Sequence, residues 1–316
     1  MEFIMKNLII AVITSFSFFL SAGIVSETAD TISYQQSNGE TVTVHKLPKR
    51  PVVLHISLTG MWYAAGGKAI ARPHAPRLHV LPEEARTLPE VGDFYNPNLE
   101  KLLALKPDLV LLHSKRGKHW EVQKLLRSAG VESVCVDYTN YDDFLTLLDF
   151  FSRVNGNPPE AEAVRKKITS EVDALCAETA KLKPVTFISM IVSGTGFLSE
   201  TPRGNTANMA ARLGGRNLVP AASVVRVKYS MEQLLMSDPD VIFLLCAGSN
   251  NKLSSRVRAI LDKRPDWRNL KAVRNNRVYV LDAESYLYLP GKRYPEAFLG
   301  LAKFLYPEKD WEKIVK

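Results

Sequence analysis

Apolar runs and amphipathic segments alternate along most of the chain. Continuous apolar stretches occur in "DLVLLHS" (108–114), "VESVCVDY" (131–138) and "PDVIFLLC" (239–246). Segments with apolar positions three and four residues apart, such as "KHWEVQKLLRSAG" (118–130) and "YDDFLTLLDFFSRVNG" (141–156), follow the first two. The first pattern predicts buried strands and the second predicts amphipathic helices. Their alternation predicts an α/β fold with mainly parallel sheets.

The chain before residue 70 contains two further strand candidates and a helix candidate. "ETVTVHKL" (40–47) alternates apolar and polar positions, and "PVVLHISL" (51–58) is rich in β-branched and other apolar residues. Both patterns predict strands. "GMWYAAGGKAI" (60–70) predicts a short helix that runs into a glycine turn.

One sequence device occurs twice. "NLEKLLALKPDLVLL" begins at Asn98 and "SMEQLLMSDPDVIFLL" begins at Ser230, at a constant offset of 132 residues. Each copy predicts a short helix, stopped by the residue before a proline, and then a buried strand. The repetition predicts two lobes of similar architecture.

Each copy of the device carries a glutamate in the first turn of its predicted helix. Glu100 follows Asn98, and Glu232 follows Ser230, at the same spacing. Asn and Ser are good helix N-caps, and a first-turn carboxylate is favoured by the helix dipole, so a capping role explains each glutamate alone. One acidic side chain at the same point of each lobe also suits a two-fold partner with basic sockets, and the spacing leaves both interpretations open.

A long helix is predicted between the two repeats. Residues 157–183 begin with a proline pair, contain good helix formers without glycine, and end before Pro184. About 24 helical residues span ~35 Å, a length that suits a bridge between lobes. We therefore expect a first lobe at 27–156, a bridging helix at 157–183 and a second lobe at 184–316; a long surface helix on a single domain is the alternative.

The second lobe repeats the alternation of the first. "VTFISMIVSG" and "RVYVLD" predict strands, and "NTANMAARLGG", "SSRVRAILDKRPDWRNL" and "YPEAFLGLAKFLYP" predict helices.

Residues 1–26 have the order of a secretory signal. Lys6 precedes an apolar run from Leu8 to Leu20, which small residues follow. An uncleaved N-terminal anchor is the alternative. Because no cysteine precedes Cys135, we expect no lipid anchor and a soluble, exported protein of the periplasm.

The three cysteines, Cys135, Cys176 and Cys246, leave at least one thiol unpaired.

Composition excludes some function classes. The formal net charge is +8. Apolar residues make up 46% of the chain, and this share is enough to form hydrophobic cores. Because no Lys/Arg block is interleaved with aromatic residues, nucleic-acid binding is not expected.

A wider set of segments then points to one family: "LPEVGDFYNPNLEKLLALKPDLVLL", "LGGRNLV", "SMEQLLMSDPDVIFL", "RNLKAVRNNRVYVLD" and "PGKRYPEAFLGLAKFLYP". Together they resemble the periplasmic substrate-binding proteins of iron-siderophore, haem and cobalamin ABC importers. The resemblance covers nearly the whole mature chain. It implies two Rossmann-like α/β lobes joined by one long helix, capture without catalysis, no intrinsic cofactor and a monomeric protein.

The resemblance also implies the partners. In that family one glutamate on each lobe docks into arginine pockets of a dimeric permease, which works with its ATPase, and the matching positions here are Glu100 and Glu232. The cargo it implies is a small metal chelate held between the lobes. The basic, tyrosine-bearing loops favour a ferric siderophore, with haem or cobalamin as the alternative.

Ligands of open α/β sheets bind beyond the carboxyl ends of the strands. Here those ends lead into loops at 59–63, 93–96, 113–115, 193–203, 226–229 and 286–293. Aromatic rings suit the flat faces of a chelate, and guanidinium groups suit its carboxylates or phenolates. The candidate ligand-binding residues are Trp62, Tyr63, Tyr95, Arg203, Arg226, Lys228, Tyr229, Tyr286, Tyr288 and Arg293.

A bare-metal site and an enzyme are the weaker interpretations. The six histidines are concentrated in the first lobe without paired spacing, so no metal site is predicted. Haem-binding relatives ligate iron with a tyrosine or histidine before the "LPEVG"-like segment, where this chain offers only His74 and His79. A chelatase-like enzyme on a similar fold is the remote alternative, but no nucleophile elbow or phosphate-binding glycine loop is present.

Overall fold

The computed structural model describes residues 22–76, 78–115, 117–193, 196–245, 261, 265–311 and 313–314. Its strands are β1 Gly23–Glu27, β2 Thr31–Gln35, β3 Thr41–His45, β4 Pro51–Val53, β5 Leu109–His113, β6 Glu132–Val136, β7 Thr186–Ser193, β8 Gly196–Glu200, β9 Arg216–Asn217, β10 Arg226–Lys228, β11 Val241–Leu245 and β12 Val278–Leu281. Its α-helices are α1 Ile56–Ala64, α2 Leu99–Ala104, α3 His119–Ser128, α4 Tyr141–Val154, α5 Pro159–Thr179, α6 Asn205–Arg212, α7 Met231–Ser237, α8 Lys271–Arg274, α9 Ala283–Tyr286 and α10 Tyr294–Leu305.

The first lobe is built on a parallel sheet in the order β4-β5-β6. All five residues of β5 are buried, as its unbroken apolar run predicts. An antiparallel sheet of β1, β2 and β3 precedes it, and contacts β6 and α4. Of these three strands only β3 was predicted, because β1 and β2 are half polar and give a weak apolar signal.

The strand predicted for residues 51–58 is wrong in its second half. β4 ends at Val53, and α1 begins at Ile56 after His55, whose backbone is extended. The Leu54 N–H still donates to the Leu111 carbonyl (2.9 Å), and beyond that contact the chain turns away from the sheet. Strand propensity at positions 56–58 is therefore overridden by the tertiary structure.

The second lobe is a larger mixed sheet in the order β10-β8-β7-β11-β12, with β9 paired to β7. β7, β11 and β12 are parallel, whereas β8 pairs antiparallel with both β7 and the edge strand β10. The parallel strands confirm the predicted architecture, and the two antiparallel pairings add to it.

The long helix α5 has 21 residues and begins at Pro159, as predicted. It is about 30 Å long and packs against α4 of the first lobe and α10 of the second. It ends at Thr179, before Pro184, because Thr179 accepts a hydrogen bond from the Leu182 N–H (2.9 Å) and closes a turn. The fold is thus two α/β lobes bridged by one long helix, whereas the boundaries at 156/157 and 183/184 stay predictions.

An aromatic cluster joins the lobes beside this helix. The ring of Tyr141 in α4 lies 4.8 Å from the ring of Tyr294 and 5.0 Å from the ring of Phe298, both in α10. Edge-to-face pairs of this kind add about 0.5–1.5 kcal/mol each beyond their buried area. The two lobes therefore contact each other directly through α4 and α10, in addition to their connection through α5.

Three predictions concern residues outside this description. These are residues 1–21 of the signal predicted at 1–26, most of the helix predicted in "SSRVRAILDKRPDWRNL", and Cys246. The rest of the predicted signal includes most of β1. Cys135 and Cys176 are free thiols. Across the ranges described above, the structure contains no helix of the length and apolarity needed to span a bilayer.

Candidate functional site

The carboxyl-end edge of the first sheet faces the second lobe. The Ser57 hydroxyl, just beyond β4, donates to the Tyr288 carbonyl (3.0 Å), and the Asn140 amide, beyond β6, donates to the Arg203 carbonyl (3.2 Å). The loops that follow the strands of both lobes therefore meet, as expected for a ligand cleft at this edge. We call this region the cleft.

Aromatic and imidazole rings cluster at the carboxyl-end edge of the first sheet. The two less buried members of this cluster, Phe94 and Tyr95, are called the first-lobe wall of the cleft. Tyr95 is 51% exposed, and its ring centroid lies 4.2 Å from that of Phe94. Phe94 in turn meets the edge of His55 (5.5 Å), and His55 lies 4.7 Å from His113. Tyr95 was predicted for the ligand site, whereas Phe94 was missed because a phenylalanine beside a glycine turn is as typical of a core as of a site.

Three of the predicted ligand-binding cations of the second lobe are exposed. The exposed side chains of Arg203, Lys228 and Arg293 form no ion pair among the residues that the structure describes. The Arg203 carbonyl accepts a hydrogen bond from Asn140 of the first lobe. Arg293 lies in a 3₁₀ turn, Gly291–Arg293, that contacts α1 of the first lobe. Positive charge without a carboxylate partner favours an anionic ligand.

Arg226 is different because it already has a partner. Its guanidinium donates to the carboxylate of Glu200 (3.3 Å), which is fully buried. Burial raises the pKa of Glu200, although Arg226, the Ala207 N–H and the Ser189 hydroxyl oppose that shift. The pair ties β10 to β8 and to the first turn of α6, and this accounts for Arg226 without a ligand.

Several predicted ligand residues lie in the core. Trp62 has no exposed surface and donates from its indole N–H to the Lys68 carbonyl (3.2 Å). Tyr229 is 6% exposed and bonds to the Ser237 hydroxyl (2.6 Å), and burial raises the pKa of Tyr286 to about 12. The structure does not bring these three side chains to the cleft. Tyr63 is half-buried, and its hydroxyl accepts from the Ala69 N–H (3.3 Å).

Tyr288, His74 and His79 are exposed. Tyr288 is 38% exposed. His79 reaches Glu284 of the second lobe (3.4 Å), and His74 pairs with Glu90 (3.1 Å) in its own lobe. Among the residues that the structure describes, no group of three His, Cys, Asp or Glu side chains could hold a metal ion.

The repeated device forms two equivalent helices, α2 and α7. The Asn98 side chain accepts from the Lys101 N–H (2.9 Å), and the Ser230 hydroxyl accepts from the Gln233 N–H (3.1 Å), so both predicted caps are present. Glu100 and Glu232 are both exposed in the first turns. From Asn98 to Pro107 and from Ser230 to Pro239, buried and exposed positions follow one another identically in the two lobes.

The two helices also end in the same way. Lys106 and Asp238, which occupy equivalent positions, both have positive φ (46° and 37°). The aspartate of each Pro-Asp pair then ties the next strand to its parallel neighbour. Asp108 accepts from the Arg50 N–H (2.9 Å) before β4, and Asp240 accepts from the Thr186 N–H (2.9 Å) at the start of β7. This shared role for the aspartates was not predicted.

Known proteins resemble the chain along most of its length. It is 26% identical to the putative ABC transporter substrate-binding lipoprotein YhfQ of Bacillus subtilis, over 61% of each chain. It is 25% identical to the uncharacterized ABC transporter substrate-binding lipoprotein YvrC (88% of this chain, 86% of that one) and 25% identical to the Fe(3+)-citrate-binding protein YfmC (86% and 84%), both of the same organism.

Solved structures show the same fold. An ABC transporter substrate-binding protein from Listeria monocytogenes superposes with a TM-score of 0.73 at 23% identity, over 82% of this chain and 98% of that one. The haem complex of IsdE from Staphylococcus aureus superposes with a TM-score of 0.70 at 20% identity, over 81% and 98%.

These relatives correct the expected location. YhfQ and YvrC are lipoproteins by name, and this contradicts the prediction of a soluble periplasmic protein without a lipid anchor. That prediction used the lack of a cysteine before Cys135, and such an absence does not determine how a protein is retained at a membrane.

The match to a family extends over residues 52–285, from β4 of the first lobe to α9 of the second. It therefore includes the first-lobe wall, both glutamate-bearing helices and the bridging helix. The chain belongs to the periplasmic binding protein family.

Proposed function

We propose that this protein captures an anionic metal chelate, with a ferric siderophore as the first candidate, and delivers it to an ABC permease. The observation that carries the proposal is that the first lobe contributes aromatic rings to the cleft and the second lobe contributes cations. The first-lobe wall presents the rings of Phe94 and Tyr95, and the second lobe presents the cations Arg203 and Arg293, which form no ion pair among the described residues. Rings contact flat ligand faces, and guanidinium groups bind carboxylates or phenolates.

The relatives support this cargo class. YfmC, whose name describes an Fe(3+)-citrate-binding protein, aligns over 86% of the chain. The ligand-binding residues that we propose are the exposed subset of the predicted ones: Tyr95, Arg203, Lys228, Tyr288 and Arg293. The relatives are binding proteins of transporters, and we propose that this chain likewise carries out no catalysis and acts as a monomer.

Tryptophan fluorescence quenching by a panel of ligands tests the cargo. The panel contains ferric tris-catecholate, ferric hydroxamate, ferric citrate, haem, cobalamin and free ferric, zinc and manganese ions. We expect saturable quenching by a ferric chelate and none by free metal. Quenching by free metal alone, or by none of the panel, contradicts the proposed cargo.

Haem is the second candidate, because IsdE has been crystallised with haem and shares this fold. His79 is the residue that favours it here: its side chain is 64% exposed and lies at the boundary between the lobes. If haem quenches most strongly, His79→Ala should shift the visible spectrum of the bound haem. An unchanged spectrum in His79→Ala and His74→Ala excludes both as iron ligands.

We further propose that Glu100 and Glu232 dock the loaded protein onto the permease dimer, which works with its ATPase. The matched burial of α2 and α7 supports this role, since a two-fold partner requires the same surface twice. Capping of the helix and docking are compatible, because the cap bonds are made by Asn98 and Ser230 and leave both carboxylates exposed.

A further inference from the structure

The loop that carries Phe94 and Tyr95 is held firmly at its backbone. The Tyr95 N–H donates to the Asp93 carboxylate (2.7 Å), and the Lys118 N–H donates to the Tyr95 carbonyl (3.3 Å). Gly117 has a φ of +42°, and a Cβ added there would lie 2.1 Å from the Tyr95 carbonyl oxygen. The close approach of these two loops therefore requires glycine at position 117.

A buried imidazole makes the shortest of these contacts. The Nε2 atom of His119 lies 2.6 Å from the Phe94 carbonyl, and His119 has no exposed surface. Because a carbonyl oxygen can only accept, Nε2 carries the proton. The Nδ1 atom accepts from the His113 N–H (2.8 Å), so the ring is the neutral Nε2–H tautomer with both nitrogens paired.

His113, whose backbone N–H donates to His119, also has both of its ring nitrogens in hydrogen bonds. The Nδ1 atom of His113 accepts from the Lys115 N–H (3.2 Å), and its Nε2 atom donates to the Tyr138 carbonyl (3.2 Å). Two buried rings therefore tie together three segments at the edge of the first sheet, 93–96, 113–115 and 137–140, and the start of α3. In the sequence these two histidines are among the six without paired spacing, for which no metal site is predicted.

We propose that His119 is a positioning residue for ligand capture: through its bond to the Phe94 carbonyl it holds the Phe94 and Tyr95 rings as a preformed wall for a planar aromatic group of the ligand. A catecholate or phenolate ring of a ferric chelate has this chemistry. This inference rests on the proposed function and deepens it. A wall that is ordered before binding does not lose side-chain freedom when the ligand arrives, and so it binds more tightly.

Two substitutions of His119 separate positioning from general stability. His119→Gln keeps an amide N–H near the place of Nε2, whereas His119→Asn keeps an acceptor near Nδ1 but cannot reach Phe94. We expect His119→Asn to weaken binding of a ferric tris-catecholate about tenfold and His119→Gln to restore most of that loss. Binding of ferric citrate, which has no ring, should change less than about threefold in both variants.

A double-variant cycle with Tyr95→Ala shows whether His119 acts through the wall. If it does, Tyr95→Ala weakens catecholate binding by itself, and His119→Asn adds little to it, because the two changes remove the same contact. The thermal midpoint of each ligand-free variant and the exposed His45→Gln serve as controls for folding and for loss of an imidazole.

The outcomes distinguish this inference from the proposed function. Wild-type protein that binds neither chelate contradicts the proposed cargo. Wild-type protein that binds the catecholate, with equal losses for both chelates in His119→Asn or with additive losses in the cycle, overturns the role of His119.

Discussion

At the scale of single residues, the buried carboxylate of Glu200 gives the clearest test. It lies within 3.1 Å of the Ser189 hydroxyl and of the Ala207 N–H, with no exposed surface. Burial raises its pKa above the ordinary 4.5. A raised carboxyl pKa contributes stability at low pH that is lost as pH rises through the folded-state pKa.

The free energy of unfolding of Glu200→Gln, relative to that of wild type, should therefore increase as pH rises from 4 to 8, because wild type loses the stability that the protonated Glu200 contributes. Urea denaturation at pH 4, 6 and 8 measures it, with Glu83→Gln on the surface as the matched control. A difference that stays constant across this range shows that Arg226 cancels the effect of burial.

The residue scale is also where sequence is least informative. Trp62, Tyr229 and Tyr286 were predicted in loops beyond strand ends, but Trp62 lies within α1, Tyr286 ends α9, and all three side chains are buried. The direction of a side chain depends on packing partners far away in sequence. Phe94 shows the same dependence, because its carbonyl accepts from His119, 25 residues later.

At the scale of elements, the repeated device was predictable because its signals are local. An N-cap residue, apolar spacing and the Pro-Asp pair define α2 and α7 and the strands that follow them. The antiparallel strands β8 and β10 were not predicted, because their pairing depends on a neighbour and their own sequences are short. The end of α5 was predicted from Pro184, but it is determined by the turn at Thr179.

The Pro-Asp element has a testable role in Asp240. Burial opposes its ionisation, but the ion pair with Lys271 and the hydrogen bonds from Thr186 (2.7 and 2.9 Å) outweigh burial and lower its pKa to about 2. A lowered carboxyl pKa contributes stability above the unfolded pKa that is lost as pH falls through the folded one.

Asp240→Asn should destabilise the protein by about 2 kcal/mol at pH 7. The deficit should shrink as pH falls from about 5 towards 2, because wild type then loses the same interaction. Chemical denaturation at a series of pH values measures the difference. Asp30→Asn, at an exposed site, is the matched control. A deficit of Asp240→Asn that does not change with pH would contradict an electrostatic tether.

At the scale of the whole molecule, the two lobes place one exposed glutamate each on equivalent helices. A base packed through Tyr141 and Tyr294 should keep the separation of these carboxylates nearly constant while ligand binds. Two carboxylates at a fixed separation would let a two-fold permease bind both lobes at once. Productive docking would then require the carboxylate of each lobe.

The double variant Glu100→Ala with Glu232→Ala should bind ligand as wild type does and fail to dock. We expect its stimulation of ATP hydrolysis by the cognate permease, reconstituted in vesicles, to fall at least about tenfold, because each lost carboxylate leaves a basic socket unpaired. Each single variant should lose part of that stimulation.

Glu121→Ala is the matched control, since Glu121 is also an exposed glutamate in the first turn of a helix, α3. It removes the same favourable interaction with a helix dipole, worth a few tenths of a kcal/mol, without touching either docking helix. Normal stimulation by Glu121→Ala, with loss in the double variant, separates docking from the helix-dipole interaction. Normal stimulation by the double variant as well would leave Glu100 and Glu232 with the helix-dipole interaction alone.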